Sequence, residues 1–246
     1  MDKDLNNENN HNLISYVNYK DILIVLAAWY IMALIILITR ELNLKHNILT
    51  GIFHFLFIVS GRFIFLAAVL FYFNSLYSIS FHELGFKFKS FFSNISKTSS
   101  LFFLLFALTI LLINTPLSFM ENSNFSPLFK IVGPNSFVTS LFPFLLLYIG
   151  CYVVGLAEQF LLNIVIFELF NNTIFNFVIS LILAGLFYSI IIMNLDPAKI
   201  LINFIAAIIS IIIYNRNKSI IYSTIFTAGY YACYISYIYG WEFLRF

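Results

Sequence analysis

The chain has 246 residues, of which 61% are hydrophobic and only 10% are charged, and its mean hydropathy is +0.94. This composition excludes an ordinary soluble domain and is typical of a polytopic membrane protein. The net charge of +2 and the scattered basic residues argue against nucleic acid as a partner, so the lipid bilayer is the first partner to expect.

Apolar runs along the chain predict an all-α membrane bundle of about seven transmembrane helices. Residues 1–21 form a polar, Asn-rich tail without the features of a cleaved signal peptide. The first run, Ile22 to Thr39, is long enough to remain as a membrane anchor. The other six runs are Leu49 to Phe73, Ser99 to Leu117, Phe137 to Phe170, Ile174 to Met193, Ile200 to Tyr214 and Ser219 to Tyr239.

Two of these runs depart from the usual span of about 20 residues. Phe137 to Phe170 is too long for one straight helix, so we expect it to tilt strongly or to break near Gly155. Ile200 to Tyr214 is short, which predicts local thinning of the bilayer or shielding by neighbouring helices. The organisation expected is a tail at 1–21, two transmembrane helices at 22–73, an interfacial amphipathic connection at 74–98 and a transmembrane core at 99–246.

Charge and composition also predict where the chain resides. A modest excess of Lys and Arg on the side of the tail predicts a cytoplasmic N-terminus. The richness in Ile, Asn, Phe, Tyr and Lys is typical of an AT-rich bacterial genome. We therefore expect a multi-pass protein of the bacterial cytoplasmic membrane.

Glu158 is a carboxylate between two long apolar runs, where an unpaired charge is costly and marks a functional site by default. Arg62, inside the second run, is a candidate partner for an intramembrane ion pair with Glu158. The alternative is that Arg62 marks a helix end, with its stem in apolar surroundings and its head at the interface. Glu168 is expected to be interfacial rather than buried.

Two loop segments carry further information. The segment Ile79 to Ser90 (ISFHELGFKFKS) predicts an interfacial stretch in which Leu and Phe dip into the bilayer edge. Its Lys87 and Lys89 are placed to meet headgroup phosphates. The segment Tyr214 to Tyr222 forms a short polar turn that leads into the last span.

With Glu158 between them, these two segments resemble the CAAX protease and bacteriocin-processing (CPBP, abortive-infection-like) family of intramembrane proteases. The resemblance covers roughly Ile79 to Tyr231, and it implies a protease-like transmembrane core. Active members carry Glu-Glu-x-x-x-Arg, then Phe-x-x-x-His, then His-x-x-x-Asn or Asp. In them a Glu and two His are expected to activate water, directly or through a metal.

The family-equivalent positions of this chain lack most of those groups. In motif order they hold Glu158, Gln159 and Asn163, then Ala184 and Tyr188, then Thr227 and Tyr231. Both motif histidines, the Arg and the second Glu are absent, and no histidine follows His82 in the chain. Without an imidazole the site lacks a base that titrates near neutral pH and the usual ligand for zinc. The resemblance therefore implies no intact catalytic residue, no metal and no cofactor.

The residues that this chain has at the motif positions predict a neutral polar site. Gln159 and Asn163 share a helix face, so their amides can hydrogen-bond each other or a neighbouring helix. Glu158 is expected to be protonated or to hydrogen-bond Tyr188 or a helix backbone. The chain is then interpreted as a non-catalytic (pseudoprotease) scaffold that binds a membrane peptide, a protein or a lipid. Two alternatives are an active intramembrane endopeptidase that uses Glu158 with non-standard partners, and a transporter-like protein.

Overall fold

The computed structural model describes residues 18–42, 48–87, 98, 105, 134–174, 176–191 and 197–239. This part of the chain is helical and contains no strand. Its α-helices are α1 (Tyr19–Leu42), α2 (Ile48–Tyr77), α3 (Pro134–Gln159), α4 (Glu168–Ile174), α5 (Phe177–Ile191), α6 (Pro197–Asn217) and α7 (Ile220–Tyr239). A π-helical segment, Phe160–Phe167, joins α3 to α4, so these three elements form one continuous rod.

The membrane class predicted from composition agrees with these helices. Within the described residues, four segments are long and apolar enough to cross a membrane: Tyr19–Ile36, Phe53–Tyr77, Phe144–Ile174 and Ile200–Asn217. Helix α5 is apolar but shorter. The predicted third span, Ser99 to Leu117, lies outside the described residues except for Leu105, so the count of seven helices stays a prediction.

The rod of α3, the π segment and α4 lies at the centre of the bundle. In an 18-residue stretch within Phe144–Ile174, 78% of the residues are buried, against 17% for Tyr19–Ile36 and 22% for a stretch of equal length within Phe53–Tyr77. Helices α2 and α7 pack along α3, while α5 and α6 pack against the π segment. Four polar residues of the rod, Glu158, Gln159, Asn163 and Glu168, are therefore buried inside the bundle.

The long fourth run is not broken near Gly155, because α3 continues through this residue. A Cβ atom at Gly155 would lie 3.6 Å from Thr227 Cβ, which is an ordinary contact, so the helix has room for a side chain at this position. The irregularity comes later, in the π segment, where all eight residues are buried. The prediction of a short sixth span is also wrong, because α6 has 21 residues.

Hydrogen bonds at Asp21 hold the start of α1 against the end of α2. The Tyr72 hydroxyl donates to an Asp21 carboxylate oxygen at 2.7 Å, and the Tyr77 hydroxyl donates to the other oxygen. The expected polar tail thus ends earlier than residue 21, because α1 begins at Tyr19. This clamp fixes how the buried face of α1, including Trp29, lies on α2.

The connection after α2 packs on the protein through Leu84, whereas its Phe81 is exposed. Leu84 is 1% exposed and belongs to the main hydrophobic core, so the expectation of a lipid-facing Leu is wrong. The Ile220 N–H donates to the Gly85 carbonyl at 2.9 Å, and Ser219 Oγ donates to the Lys87 carbonyl at 2.6 Å. The first bond satisfies an N–H of the first turn of α7, and both bonds hold the loop after α2 against the turn between α6 and α7.

Gly85 is expected to be intolerant of a side chain. Its φ is +85°, and an added Cβ would lie 3.2 Å from Ile220 Cγ1. Because L-residues are strained in this region, Gly85→Ala should lower the free energy of unfolding by about 1–2 kcal/mol. The matched control is Gly155→Ala, which is helical, meets only ordinary contacts and should raise stability by about 0.5–1 kcal/mol. Thermal unfolding in detergent compares the two variants, and equal stability would contradict this role of Gly85.

Candidate functional site

Glu158 lies in the last turn of α3, inside the bundle, and is 6% exposed. Tyr231 of α7 donates its hydroxyl to Glu158 Oε2 at 2.7 Å, and Tyr188 of α5 donates to the same oxygen at 3.1 Å. The hydrogen bond expected from Tyr188 is therefore present. One carboxylate oxygen links α3, α5 and α7.

A second set of hydrogen bonds, between neutral groups, begins at the neighbouring residue Gln159, and the two adjacent sets together are called the Glu158 cluster. Gln159 Nε2 donates to Thr227 Oγ1 at 2.8 Å. Asn163 Nδ2 donates to Gln159 Oε1 at 2.9 Å and to Ser223 Oγ at 3.3 Å. The two amides thus hydrogen-bond each other, as their spacing predicts, and both reach α7. Amide and hydroxyl pairs of this kind hold membrane helices together without burying a charge.

The π segment places the Asn163 amide in this second set of bonds. Its sequence, FLLNIVIF, has Asn163 as its one polar residue, and that residue is fully buried. A π-helical stretch is rare and often occurs at functional sites, because it shifts side chains around the helix relative to a regular α-helix. Here the shifted stretch follows directly after Glu158 and Gln159.

A small cavity of about 10 Å³ lies beside the bond between Gln159 and Thr227. This volume is close to that needed for a single water molecule. Among its lining residues are Asn203, Ala206 and Ser210 of α6, and Ser210 Oγ is 3.5 Å from Thr227 Oγ1. Sequence reasoning missed these α6 residues, although their spacing of three and then four residues places them on one helix face.

The structure brings together most of the site residues predicted from the sequence. Six of them take part in the two sets of hydrogen bonds, namely Glu158, Gln159, Asn163, Tyr188, Thr227 and Tyr231. Ala184 is fully buried one turn before Tyr188 on α5, and its side chain offers no polar group. Ser223 is a further member that sequence reasoning missed, since it lies one turn before Thr227 on the same face of α7.

Arg62 lies near the middle of the 30-residue helix α2, so the interpretation that it marks a helix end is wrong. It is 8% exposed, and its guanidinium carbon lies 3.5 Å from the centre of the Trp29 ring. Arg62 and Glu158 are near enough to interact electrostatically, but no hydrogen bond or direct ion pair joins these two described residues. Arg62 is thus a neighbour of the cluster and not a hydrogen-bonded member.

Glu168 lies away from the Glu158 cluster, at the start of α4. It is 6% exposed, and the Tyr214 hydroxyl donates to its carboxylate at 3.4 Å. The expectation of an interfacial rather than buried Glu168 is therefore wrong. Helix α4 continues through Asn171 and Asn172 to Ile174, and the Glu168 carboxylate at its start lies against Tyr214 of α6.

The cluster offers hydrogen-bond donors and acceptors but no strong base. Within the described residues, no three His, Cys, Asp or Glu side chains are grouped so that they could hold a metal ion. The Glu158 oxygen is already occupied by two hydroxyl donors, and the other members are amides and hydroxyls. Comparisons of the chain with protein-family models, with curated proteins and with solved structures give no match, so its function is inferred from the chemistry of this site.

Proposed function

We propose that this chain is a non-catalytic, multi-pass membrane scaffold that resembles the CPBP proteases and binds a membrane-embedded segment of a partner protein at the Glu158 cluster. The observation that carries the proposal is that Tyr188 and Tyr231 both donate to Glu158 Oε2. These tyrosines stand where the resemblance implies motif residues of a hydrolytic site. A carboxylate held by two hydroxyls stabilises a fold but is poorly placed to take a proton from water.

The chemistry of the neighbouring positions supports the absence of hydrolysis. Gln159 and Asn163 replace a Glu and an Arg, so the site has lost an opposite-charge pair as a unit. Losing only one of those charges would leave the other buried and unpaired, which is strongly destabilising. The two amides that remain hydrogen-bond each other and donate to Thr227 and Ser223 of α7.

The face of α6 beside the cavity supports binding of a transmembrane segment. Asn203, Ala206 and Ser210 line the cavity from one side of this helix. Small and polar residues on a shared face are the composition at which membrane helices approach and hydrogen-bond. Ser210 is buried against Thr227, whereas Asn203 and Ala206 are half-buried, so a partner helix reaches this face at Asn203 and gains there a hydrogen bond that lipid does not offer.

Two assays on purified protein and on cells test the proposal. The purified unchanged protein should cleave membrane peptides no faster than the Glu158→Gln variant does. This variant keeps an acceptor for the two tyrosine hydroxyls but removes the carboxyl group. A photo-crosslinking amino acid at Asn203 should capture a membrane polypeptide, whereas the same group at the lipid-exposed Leu201 of α6 should not. Peptide cleavage that disappears in Glu158→Gln would establish the endopeptidase alternative instead.

We also propose that the chain lies in a bacterial cytoplasmic membrane with its N-terminus inside. The Asp21 clamp and the bond from Ile220 to Gly85 place the start of α1, the end of α2 and the start of α7 at one end of the bundle. Lys20, Lys87 and Lys218 lie at this end, and such residues favour the cytoplasmic side. In a background without Cys151 and Cys233, Lys218→Cys should react with a membrane-impermeant maleimide only after cells are opened. Labelling of intact cells would reverse the orientation.

A further inference from the structure

The cavity beside Thr227 lies where four helical elements meet. Its walls come from Gln159 of the rod, Tyr188 of α5, one face of α6 and one face of α7. Its volume of about 10 Å³ admits one water molecule but no organic ligand of several heavy atoms. The size of the cavity therefore restricts its occupant to water or a single ion.

Gln159 brings a hydrogen-bond donor to this cavity. Its side chain is buried, and its Nε2 group carries two N–H bonds, one of which donates to Thr227 Oγ1 at 2.8 Å. The second N–H has no acceptor in the part of the chain that the structure describes. A buried N–H without a partner is costly, so an acceptor in the cavity stabilises the fold. The same N–H disfavours a cation.

Ser210 brings hydrogen-bond acceptors to the cavity from α6. It is buried, and its Oγ lies 3.5 Å from Thr227 Oγ1. Thr227 donates its own hydroxyl proton to the Ser223 carbonyl at 3.0 Å, so Ser210 is the donor to Thr227. The lone pairs of Ser210 Oγ are then left without a donor among the described side chains, which disfavours an anion. Water suits both sides, because it donates and accepts.

Asn203 gives water a route to the cavity. It lines the cavity, is half-buried and lies three residues after Ile200, where the apolar stretch of α6 begins. At 1.5 Å per residue, Asn203 is about 5 Å from that end of the span, close to the hydrated headgroup region. Its amide has no hydrogen-bond partner within the described ranges, so it is available to water at the mouth of the cavity.

We propose that this cavity binds one water molecule, which accepts a hydrogen bond from Gln159 and donates one to Ser210. The water gives α6 a link to the rod in addition to the contact between Ser210 and Thr227. Glu158 does not line the cavity, so the water is a structural ligand and is not held by the carboxylate. This assignment goes beyond the proposed function and does not depend on whether a partner binds at Asn203.

Radiolytic labelling of two matched phenylalanines tests for the water. Phe226 and Phe160 are both fully buried, but Phe226 lines the cavity, whereas Phe160 packs against Phe73 of α2. A short X-ray pulse converts water into hydroxyl radicals, which add oxygen to aromatic rings beside it. In the unchanged protein, held in phosphatidylcholine nanodiscs, Phe226 should gain oxygen at several times the rate of Phe160. Mass spectrometry of proteolytic peptides measures both rates.

Ser210→Val removes the acceptor and places a methyl group in the cavity, so it should abolish the labelling of Phe226. Phe160 controls for folding in this variant, because loss of packing would expose it and raise its own labelling. The comparison in the unchanged protein does not depend on the variant, and equal rates at the two phenylalanines there would overturn the inference. Labelling of Phe226 that persists in Ser210→Val while Phe160 stays unlabelled would also overturn it. Loss of crosslinking at Asn203 with normal labelling of Phe226 would contradict the proposed function alone.

Discussion

Asn163→Asp is expected to lower the free energy of unfolding by about 3–5 kcal/mol, because it places an unpaired carboxyl group inside the π segment. Asn163 is fully buried, and its Nδ2 group donates to Gln159 Oε1 and Ser223 Oγ. An aspartate removes this donor, so its oxygen would face the acceptor oxygen of Gln159. If the new carboxyl group is ionised, no cation in the hydrogen-bonded cluster pairs with it. If it is protonated, it offers one donor where the Asn163 amide has two N–H groups.

The matched control is the same chemical change at Asn176, before the first turn of α5. Asn176 is exposed, and its Oδ1 accepts hydrogen bonds from the Val178 and Ile179 N–H groups at 3.1 and 3.2 Å. A carboxylate keeps these bonds and interacts well with a helix N-terminus, so Asn176→Asp should change stability by at most about 0.5 kcal/mol. Thermal and denaturant unfolding in detergent measure both variants. Similar losses at the two positions would show that Asn163 is not held by buried hydrogen bonds.

Helices could be predicted from the sequence because the membrane requires long apolar runs with their backbone groups satisfied internally. Their ends could not, since polar residues also continue a helix. The run Ile200 to Tyr214 stops at the first polar residues, but α6 extends from Pro197 to Asn217. Pro197 suits a first turn, where its missing N–H is not needed. The π segment carries no sequence signal, because FLLNIVIF is compatible with an ordinary buried α-helix.

The candidate site could be predicted only where a chemical group was unusual for its surroundings. Glu158 stands out because charges are rare between apolar runs. Ser210 and Ser223 do not stand out, because serines are common in membrane helices. Their part in the site can be inferred only once their hydrogen-bonding neighbours are known. The stacking of Arg62 on Trp29 depends on how α1 is rotated against α2, which no local pattern encodes.

Glu158→Ala is expected to lower the free energy of unfolding by about 2–5 kcal/mol, because it removes the acceptor of two buried hydroxyl groups at once. Tyr188 and Tyr231 both donate to Glu158 Oε2, so the variant leaves each hydroxyl without that partner. Glu158→Gln retains an oxygen acceptor at the same position and should lose less than half as much stability. Thermal unfolding in detergent compares the two variants with the unchanged protein.

A double-mutant comparison separates this effect from a general loss of packing. In a background of Tyr188→Phe and Tyr231→Phe there is no hydroxyl to leave unpaired, so Glu158→Ala should cost at least about 1 kcal/mol less than in the unchanged protein. The same cost in both backgrounds would mean that the hydroxyls contribute nothing through Glu158. A smaller cost in the phenylalanine background identifies Glu158 as the shared acceptor that joins α3, α5 and α7. A residue with that role stabilises the packing of three helices at one buried oxygen atom.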